Sequence, residues 1–502
     1  MIGLVSKLRG MPRARARRFD IIPAVSTLKP RLLQAAIVLL AFPFFAGSSE
    51  QVAYVPFADA KPILETLGNA LPADLRDVSP EKLESLWPEW VKHRDAEIRE
   101  RLAGGDADSV VNFLFFGASF TTEPRLTGAQ LNAIAPAKTE DSPPGSDAAF
   151  QAIFAKRVLD LIHGMMAPGK NERLRFARKT LERAGIDFSD RNGQAGAERY
   201  LLENVRRVLQ EQGAFQQAIA TAKGLNDPTE EFVERSKLYR ERGLSLDTSL
   251  PPDYALEEAL KEMSARGLVK PGSVKRVGII GPGLDFTDKQ EGYDFYPTQT
   301  VQPFAVMDSL LRLGLANANE VEVDTLDLSP RVLEHVGQAK QAATKGQGYT
   351  IQLPRDPARG WKPGLVAYWQ RFGDRIGSVA PPVAVPPGLK GIRLRAVRVR
   401  PQFVRRMRAL DVNIVLQREE APEDAKFDLL IATNILVYYD TFEQSLALTN
   451  VQAMLKPGGF LLTNNLLLEL PSSKMKSVDY VFVEYSHREA DGDQIVWYRR
   501  EP

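Results

Sequence analysis

The run Lys426-Phe-Asp-Leu-Leu-Ile-Ala-Thr-Asn-Ile-Leu-Val-Tyr-Tyr-Asp440 is followed, one helix length later, by Met454-Leu-Lys-Pro-Gly-Gly-Phe-Leu-Leu-Thr-Asn464. This pairing limits what the chain can fold into more than any other feature. Phe427 to Thr433 is a short apolar run with one acid near its start, as in a parallel strand buried on both faces. It stops at Asn434, a polar residue placed where a strand of an open α/β sheet delivers its C-terminal edge to a ligand. Apolar residues at Phe442, Leu446, Leu448, Val451 and Leu455 predict a helix from Thr441 to Leu455. Lys456-Pro-Gly-Gly459 ends it, glycine supplying positive φ and proline refusing to continue, and Phe460 to Leu462 begins the next strand.

F-D-L-L-I-A-T-N-I-L-V-Y-Y with M-L-K-P-G-G-F-L-L downstream resembles the fourth and fifth strands of class I S-adenosylmethionine-dependent methyltransferases. N-I-L-V-Y-Y is similar to the N-V-x-I-Y-F segment of the chemotaxis-receptor (CheR-type) members. The resemblance implies an α/β fold with a Rossmann-like sheet, S-adenosylmethionine as cofactor, and methyl transfer as the activity. It spans roughly 275–500, and the CheR likeness is confined to 303–304, 325–327 and 399–465.

Upstream, Lys275-Arg-Val-Gly-Ile-Ile-Gly-Pro-Gly-Leu-Asp-Phe286 reads as a strand and a glycine turn, where Gly281 and Gly283 have no Cβ to hold a nucleotide-derived ligand away. The family commonly carries an acid two residues before the first glycine, where this chain has Ile279, and Asp285 replaces the third glycine. Gln302 stands at the start of the next helix, where CheR-type enzymes place a glutamate against the methionine end of the cofactor. The residues expected to take over that charge are Asp285, Asp288 or Glu291. Asp327 closes a second strand, and an acid there accepts hydrogen bonds from both ribose hydroxyls. Ser329-Pro330 then caps a helix. By match to the family, Asn413 and Ile414 sit at the adenine, Thr433 and Asn434 beside the cofactor, and Tyr438 near the methyl acceptor. Between 337 and 401 the alternation breaks into an inserted small subdomain, in which Ile392 to Arg400 alternates as a half-buried strand. Its Arg393, Arg395, Arg398 and Arg400 form a solvated face or meet an acidic partner.

At 502 residues the chain is too long for one ordinary core. Three regions follow: 1–56 as a basic, apolar targeting or anchoring segment, 57–270 as a mainly helical region, and 271–502 as the methyltransferase domain. Arginines and lysines precede the apolar stretch 32–47, the pattern of a signal peptide or a short anchor that associates with a membrane. That conflicts with a cofactor made in the cytoplasm, where the catalytic domain is expected. A net charge of +2, its basic excess largely at the N-terminus, argues against a nucleic-acid partner. There is no cysteine, and the four histidines are scattered, so no metal site is expected. In the helical region Ser79-Pro80 starts a helix that Gly104-Gly105 ends. Val110 to Phe120 is core or a groove lining, and Pro136 to Asp147 is a linker. Further helices are expected at Ala148 to Met166, Asn171 to Ala184, Ala195 to Lys223, Thr229 to Arg242 and Tyr254 to Gly267.

Methyl transfer from a sulfonium is an in-line displacement needing alignment and exclusion of water. The first reading is therefore a methyltransferase in which Asp327, Asn413 and Asn434 hold cofactor and Tyr438 shapes the site of an unknown acceptor, a protein carboxylate or a small molecule. A second reading is a catalytically inactive binding module on the same fold, drawn from the departures at Ile279, Asp285 and Gln302. A third, a nicotinamide-dependent oxidoreductase, shares the glycine turn and Asp327 but not the L-K-P-G-G turn.

Overall fold

In the computed structural model the described residues are 52–127, 130–131, 148–189, 191–223, 243–246, 248–285, 292–488 and 491–502. The expected anchor at 32–47, the linker, the helix at 229–242 and the acids Asp288 and Glu291 lie outside them. No helix among the described residues is long and apolar enough to cross a membrane.

Seven strands make the main sheet: β2 (Arg276–Ile280), β3 (Glu322–Asp327), β7 (Met407–Asp411), β9 (Phe427–Ala432), β10 (Leu455–Thr463), β11 (Met475–Glu484) and β12 (Gly492–Arg500). Their spatial order is β11-β12-β10-β9-β2-β3-β7. β7, β3, β2, β9 and β10 pair in parallel, and β12 runs antiparallel to both its neighbours. This strand order, with one reversed strand near the edge, fits a Rossmann-like methyltransferase sheet. The chain turns back across the sheet at β2, so the strand ends there open a crevice at the switch point. β3 and β9 are each buried over five of their six residues; in β9 this leaves an apolar run, whereas β3 buries Asp324 against Arg276 and Arg408.

The glycine turn Lys456-Pro-Gly-Gly459 differs from its reading as a plain stop. It falls within β10, where Leu455 pairs with Phe427 and pairing resumes at Phe460 opposite Leu429. Five positions on one strand against two on its neighbour make a bulge, which Gly458 at φ 81° accommodates. The preceding helix, Thr441–Met454, carries a full capping box between Asp440 and Glu443.

Helix α1 (Phe57–Leu67) and the first half of α2 (Pro80–Phe116) share one apolar core with the sheet. Ile63, Trp87, Val91 and Ile98 pack in the same cluster as Ile280, Leu326, Leu430 and Leu446. β1 (Val52–Tyr54) also pairs with β8 (Gln417–Glu419). A second cluster joins the end of α2 to α3 (Ala148–Met166), α4 (Glu172–Arg183) and α5 (Arg191–Lys223). Val110, Val111, Phe113 and Leu114 have no exposed surface, so these apolar residues are core.

Gly104-Gly105 does not end α2. A Cβ on Gly105 would lie 1.9 Å from the Leu244 carbonyl oxygen, and Gly104 faces the backbone of Gly243 at 3.2 Å. The two glycines admit a crossing chain segment, and the helix continues beneath it. α6 (Leu250–Ala265) then leads into β2.

Between β3 and β7 the chain forms helix Pro330–Thr344, then a separate antiparallel sheet in the order β4-β6-β5, from Tyr349–Arg355, Arg393–Val399 and Gly377–Ala380. Arg395 of this sheet is half-buried and donates to the carbonyls of Trp369 (2.7 Å) and Phe372 (3.0 Å), so the arginine stripe is not uniformly solvated.

Candidate functional site

A cavity of about 450 Å³ opens at the C-terminal ends of β2, β3, β9 and β10. Its floor comes from the residues that follow these strands. The other wall is built by Leu102, Asp108 and Asn112 of α2 and by Gly243 to Leu246 with Thr248 and Ser249, a covering segment over the strand ends.

β3 delivers Asp327 to this cavity at 5% exposure. Its Oδ1 accepts from the Ser329 backbone N–H at 2.8 Å, while Oδ2 is buried with no partner. Burial pushes the carboxyl up to about 7, and the charge of Asp411 pushes the same way. An unpaired buried acceptor is expensive to keep unless a ligand supplies donors.

Gly281 and Gly283 both line the cavity with positive φ, 63° and 67°. The space their missing Cβ atoms leave is nevertheless taken by the protein. At Gly283 a Cβ would come within 2.3 Å of the Leu246 carbonyl oxygen, which accepts from the Leu284 N–H at 2.7 Å. At Gly281 it would lie 2.2 Å from Ile435 Cδ1. These glycines thus seat the covering segment and the loop after β9, a different reason for glycine from close approach of a ligand.

Asp285 is not on the cavity. Its carboxylate accepts from the Tyr296 hydroxyl and from Gln299 Nε2, each at 2.8 Å, which turns it away from the strand ends. Gln302 is on the cavity, and its Nε2 donates to Thr433 Oγ1 at 2.8 Å and to Asp253 Oδ1 at 3.2 Å. Asn413 is also misplaced by the sequence reading. Its side chain is fully buried, with Nδ2 donating to Asp95 of α2 at 2.8 Å and Oδ1 accepting from the Val415 N–H. The turn it forms instead offers the side chains of Val412 and Ile414 to the cavity.

Thr433, Asn434 and Tyr438 all line the cavity. Asn434 takes φ 58°, a left-handed conformation that asparagine tolerates better than most residues. Its N–H donates to Asn464 Oδ1 at 2.8 Å, and Asn464 Nδ2 donates back to Asn434 Oδ1. Tyr438 closes a one-turn helix whose last carbonyl accepts from Arg101 at 2.8 Å. Burial pushes the phenol of neighbouring Tyr439 well above its usual range.

The sequence reading missed Asp253, Asp108, Asn112, the covering segment and the pair Asn464-Asn465. Only the last had a local signal, two polar residues directly after the apolar end of a strand, the same logic that picked out Asn434. The others reach the site through tertiary packing.

No protein-family model matches the chain, and no curated protein matches it. Solved structures that resemble it include magnesium protoporphyrin IX methyltransferase (ChlM) from Synechocystis PCC 6803 with bound SAM, at 10% identity. That match covers 56% of this chain and 88% of the other, with a TM-score of 0.24. CurJ carbon methyltransferase follows at 12% identity, 84% and 99% coverage and a TM-score of 0.25. Human N-acetylserotonin methyltransferase in complex with SAM has 13% identity, 72% and 100% coverage and a TM-score of 0.22. At such scores these structures add nothing to what the strand order already establishes.

Proposed function

We propose that the chain is an S-adenosylmethionine-dependent methyltransferase. The observation that carries this reading is Asp327 Oδ2, a buried acceptor without a donor, at the end of the strand beside the switch point of a sheet with this order. The donor set fits the cofactor. Asp327 would accept from the ribose hydroxyls, and Val412 and Ile414 would pack against the adenine face. When bound, S-adenosylmethionine supplies a methyl group on a sulfonium, ready for displacement. The chain's own part is to orient and to exclude water: Gly243 to Leu246 with Thr248 and Ser249 cover the cavity, and Asn434 and Tyr438 border the space left for an acceptor.

A cavity of this volume holds a cofactor and only a small reacting group. The CheR-like part of the reading, a protein carboxylate as acceptor, draws less support from the lining. Its described side chains include no lysine or arginine, and they do include Asp108, itself paired with Arg207. A nitrogen or hydroxyl acceptor fits these walls better.

The inactive-module reading draws on one observation, the filling of the space beside Gly281 and Gly283 by Ile435 and Leu246. Calorimetric titration of the full chain with S-adenosylmethionine and S-adenosylhomocysteine separates the two. Micromolar binding that Asp327→Ala abolishes supports the enzyme, and no binding by folded wild-type protein overturns it.

A further inference from the structure

Charge is unevenly spread along this chain. Residues 345–406 hold thirteen lysines and arginines against two acids, Asp356 and Asp374, while the whole chain nets +2. This stretch builds the small sheet β4-β6-β5 and the loops around it. Some of its cations are engaged inside the protein: Arg371 meets Glu257, and Arg395 donates to two carbonyls. Arg375, Lys390, Arg393, Arg398 and Arg400 are exposed and form no ion pair among the described residues. Their field is directed outward.

Between β5 and β6 the chain crosses the end of this sheet as Pro381-Pro-Val-Ala-Val-Pro-Pro387. With Val379 and Ala380 before it, nine consecutive residues carry no polar side chain. Such a run belongs in a core, yet only Ala380 of the nine is buried, and Val379 is 79% exposed. The backbone is also poor in donors. Four of the seven residues from 381 to 387 are prolines, which have no N–H, and the Val383 N–H is taken by Gln352 Oε1 at 3.3 Å. An unmet backbone donor is costly in an apolar medium, so this loop enters one at a smaller penalty than an ordinary loop. Lys390 follows the loop, and Arg393 opens β6 at the same end of the sheet.

We propose that this loop and the cations beside it form a face that docks on an anionic lipid surface. The valines and prolines of 381–387 enter the boundary between headgroups and acyl chains, and Lys390 and Arg393 meet the anionic headgroups. Arg375, Arg398 and Arg400, at the other end of β5 and β6, add to the attraction. An apolar tip flanked by unpaired cations matches a surface that is anionic outside and apolar just beneath, which is what selects lipid over an acidic protein. Nine residues are far too few to cross a bilayer, so the contact is peripheral. None of these residues lines the cavity at the strand ends, and the proposal stands independently of the methyltransferase reading.

The absence of cysteine makes the test specific to the loop. In the full chain, Ala384→Cys supplies a single thiol for an environment-sensitive fluorophore, and Lys92→Cys, on the exposed surface of α2, supplies the reference position. The probes are phosphatidylcholine vesicles with and without phosphatidylserine. The label at position 384 is expected to shift to the blue on vesicles containing phosphatidylserine and to stay unchanged on phosphatidylcholine alone. The label at position 92 is expected to stay unchanged on both. Lys390→Ala combined with Arg393→Ala is expected to weaken vesicle binding by about tenfold or more, since each cation near an anionic surface strengthens binding by about fivefold. Both residues are exposed and unpaired, so the double variant is expected to keep the wild-type melting temperature. No binding, binding with a silent label at position 384, or an equal shift on both kinds of vesicle overturns the proposal. So does a shift produced by soluble polyglutamate in place of vesicles, which would give the face to an acidic protein.

Discussion

Asn434 and Asn464 exchange two hydrogen bonds across the C-terminal ends of β9 and β10, backbone N–H to Oδ1 at 2.8 Å and Nδ2 to Oδ1 in return. Each follows the apolar run of its strand, and together they hold the loop that carries Tyr438 against the cavity. The pair depends on the left-handed backbone at Asn434, φ 58°.

Backbone and amide are therefore separable. Asn434→Gly keeps the conformation and loses the amide, whereas Asn434→Ala loses the amide and adds the left-handed penalty of about 1–2 kcal/mol. The alanine variant is expected to unfold at lower denaturant than the glycine variant by about that difference. Both are expected to lose methyl transfer together. Equal stability of the two would show that the φ at this position is not imposed by the fold.

Asp327 predicts an exchange between stability and binding. Removing an unpartnered buried carboxylate with Asp327→Asn is expected to leave the free protein as stable as wild type or more so, as judged by its melting temperature. The same change replaces one acceptor by a donor facing the ribose. S-adenosylhomocysteine affinity is expected to fall by about tenfold to a hundredfold, equivalent to about 1.4–3 kcal/mol. A variant that is less stable and binds normally would place the residue in the scaffold.

Asp253 and Asp327 also set a pH dependence. Both carboxyls are raised in the folded chain, to about 8 and about 7, from about 3.9 when unfolded. Between those limits the folded state binds more protons than the unfolded one, so stability falls as pH rises from about 4 to about 8. His335, buried and lowered, works in the other direction below its ordinary value of about 6.5. The clean window is thus pH 6.5 to 8. There the wild-type melting temperature is expected to drop with rising pH, and that of Asp253→Asn to drop less. Identical slopes would remove Asp253 as a titrating group in this range.

How much of this the sequence disclosed depends on how far apart in the chain the cause of each feature lies. Phe427 to Asn434 and the helix after it were legible because burial on both faces leaves an unbroken apolar run, and a strand end is marked by its first polar residue. Asp327 was legible as the acid that closes a strand just ahead of the Ser329-Pro330 helix start. Asn413 was not, because its fate is decided by Asp95, which lies 318 residues earlier in the chain. Gly104-Gly105 reads as a helix stop in any local window, yet the helix continues because Leu244 crosses there. The places of Asp285 and Asp253 were not legible for a like reason. Tyr296 and Gln299 occupy the acid in the loop, and the helix before β2 brings another acid behind Gln302.

The covering segment supplies the last prediction. Leu246 accepts from the Leu284 N–H at 2.7 Å, and Leu244 donates its N–H to the Arg101 carbonyl at 3.2 Å, so the segment is tied at once to the glycine turn and to α2. Both ties need a neighbour without a side chain, Gly283 on one side and Gly105 on the other. A methyl at Gly283 would meet the Leu246 oxygen at 2.3 Å and also carry positive φ, so nothing short of backbone movement relieves it. Gly283→Ala is expected to destabilise the chain by about 1–3 kcal/mol and to speed hydrogen exchange at Leu244, Ser245 and Leu246 well beyond the change in the sheet. Cofactor affinity should fall with it, since the segment walls the cavity. Exchange that rises uniformly across β2, β3 and β9 would instead mean that the glycine serves the whole sheet and not its cover.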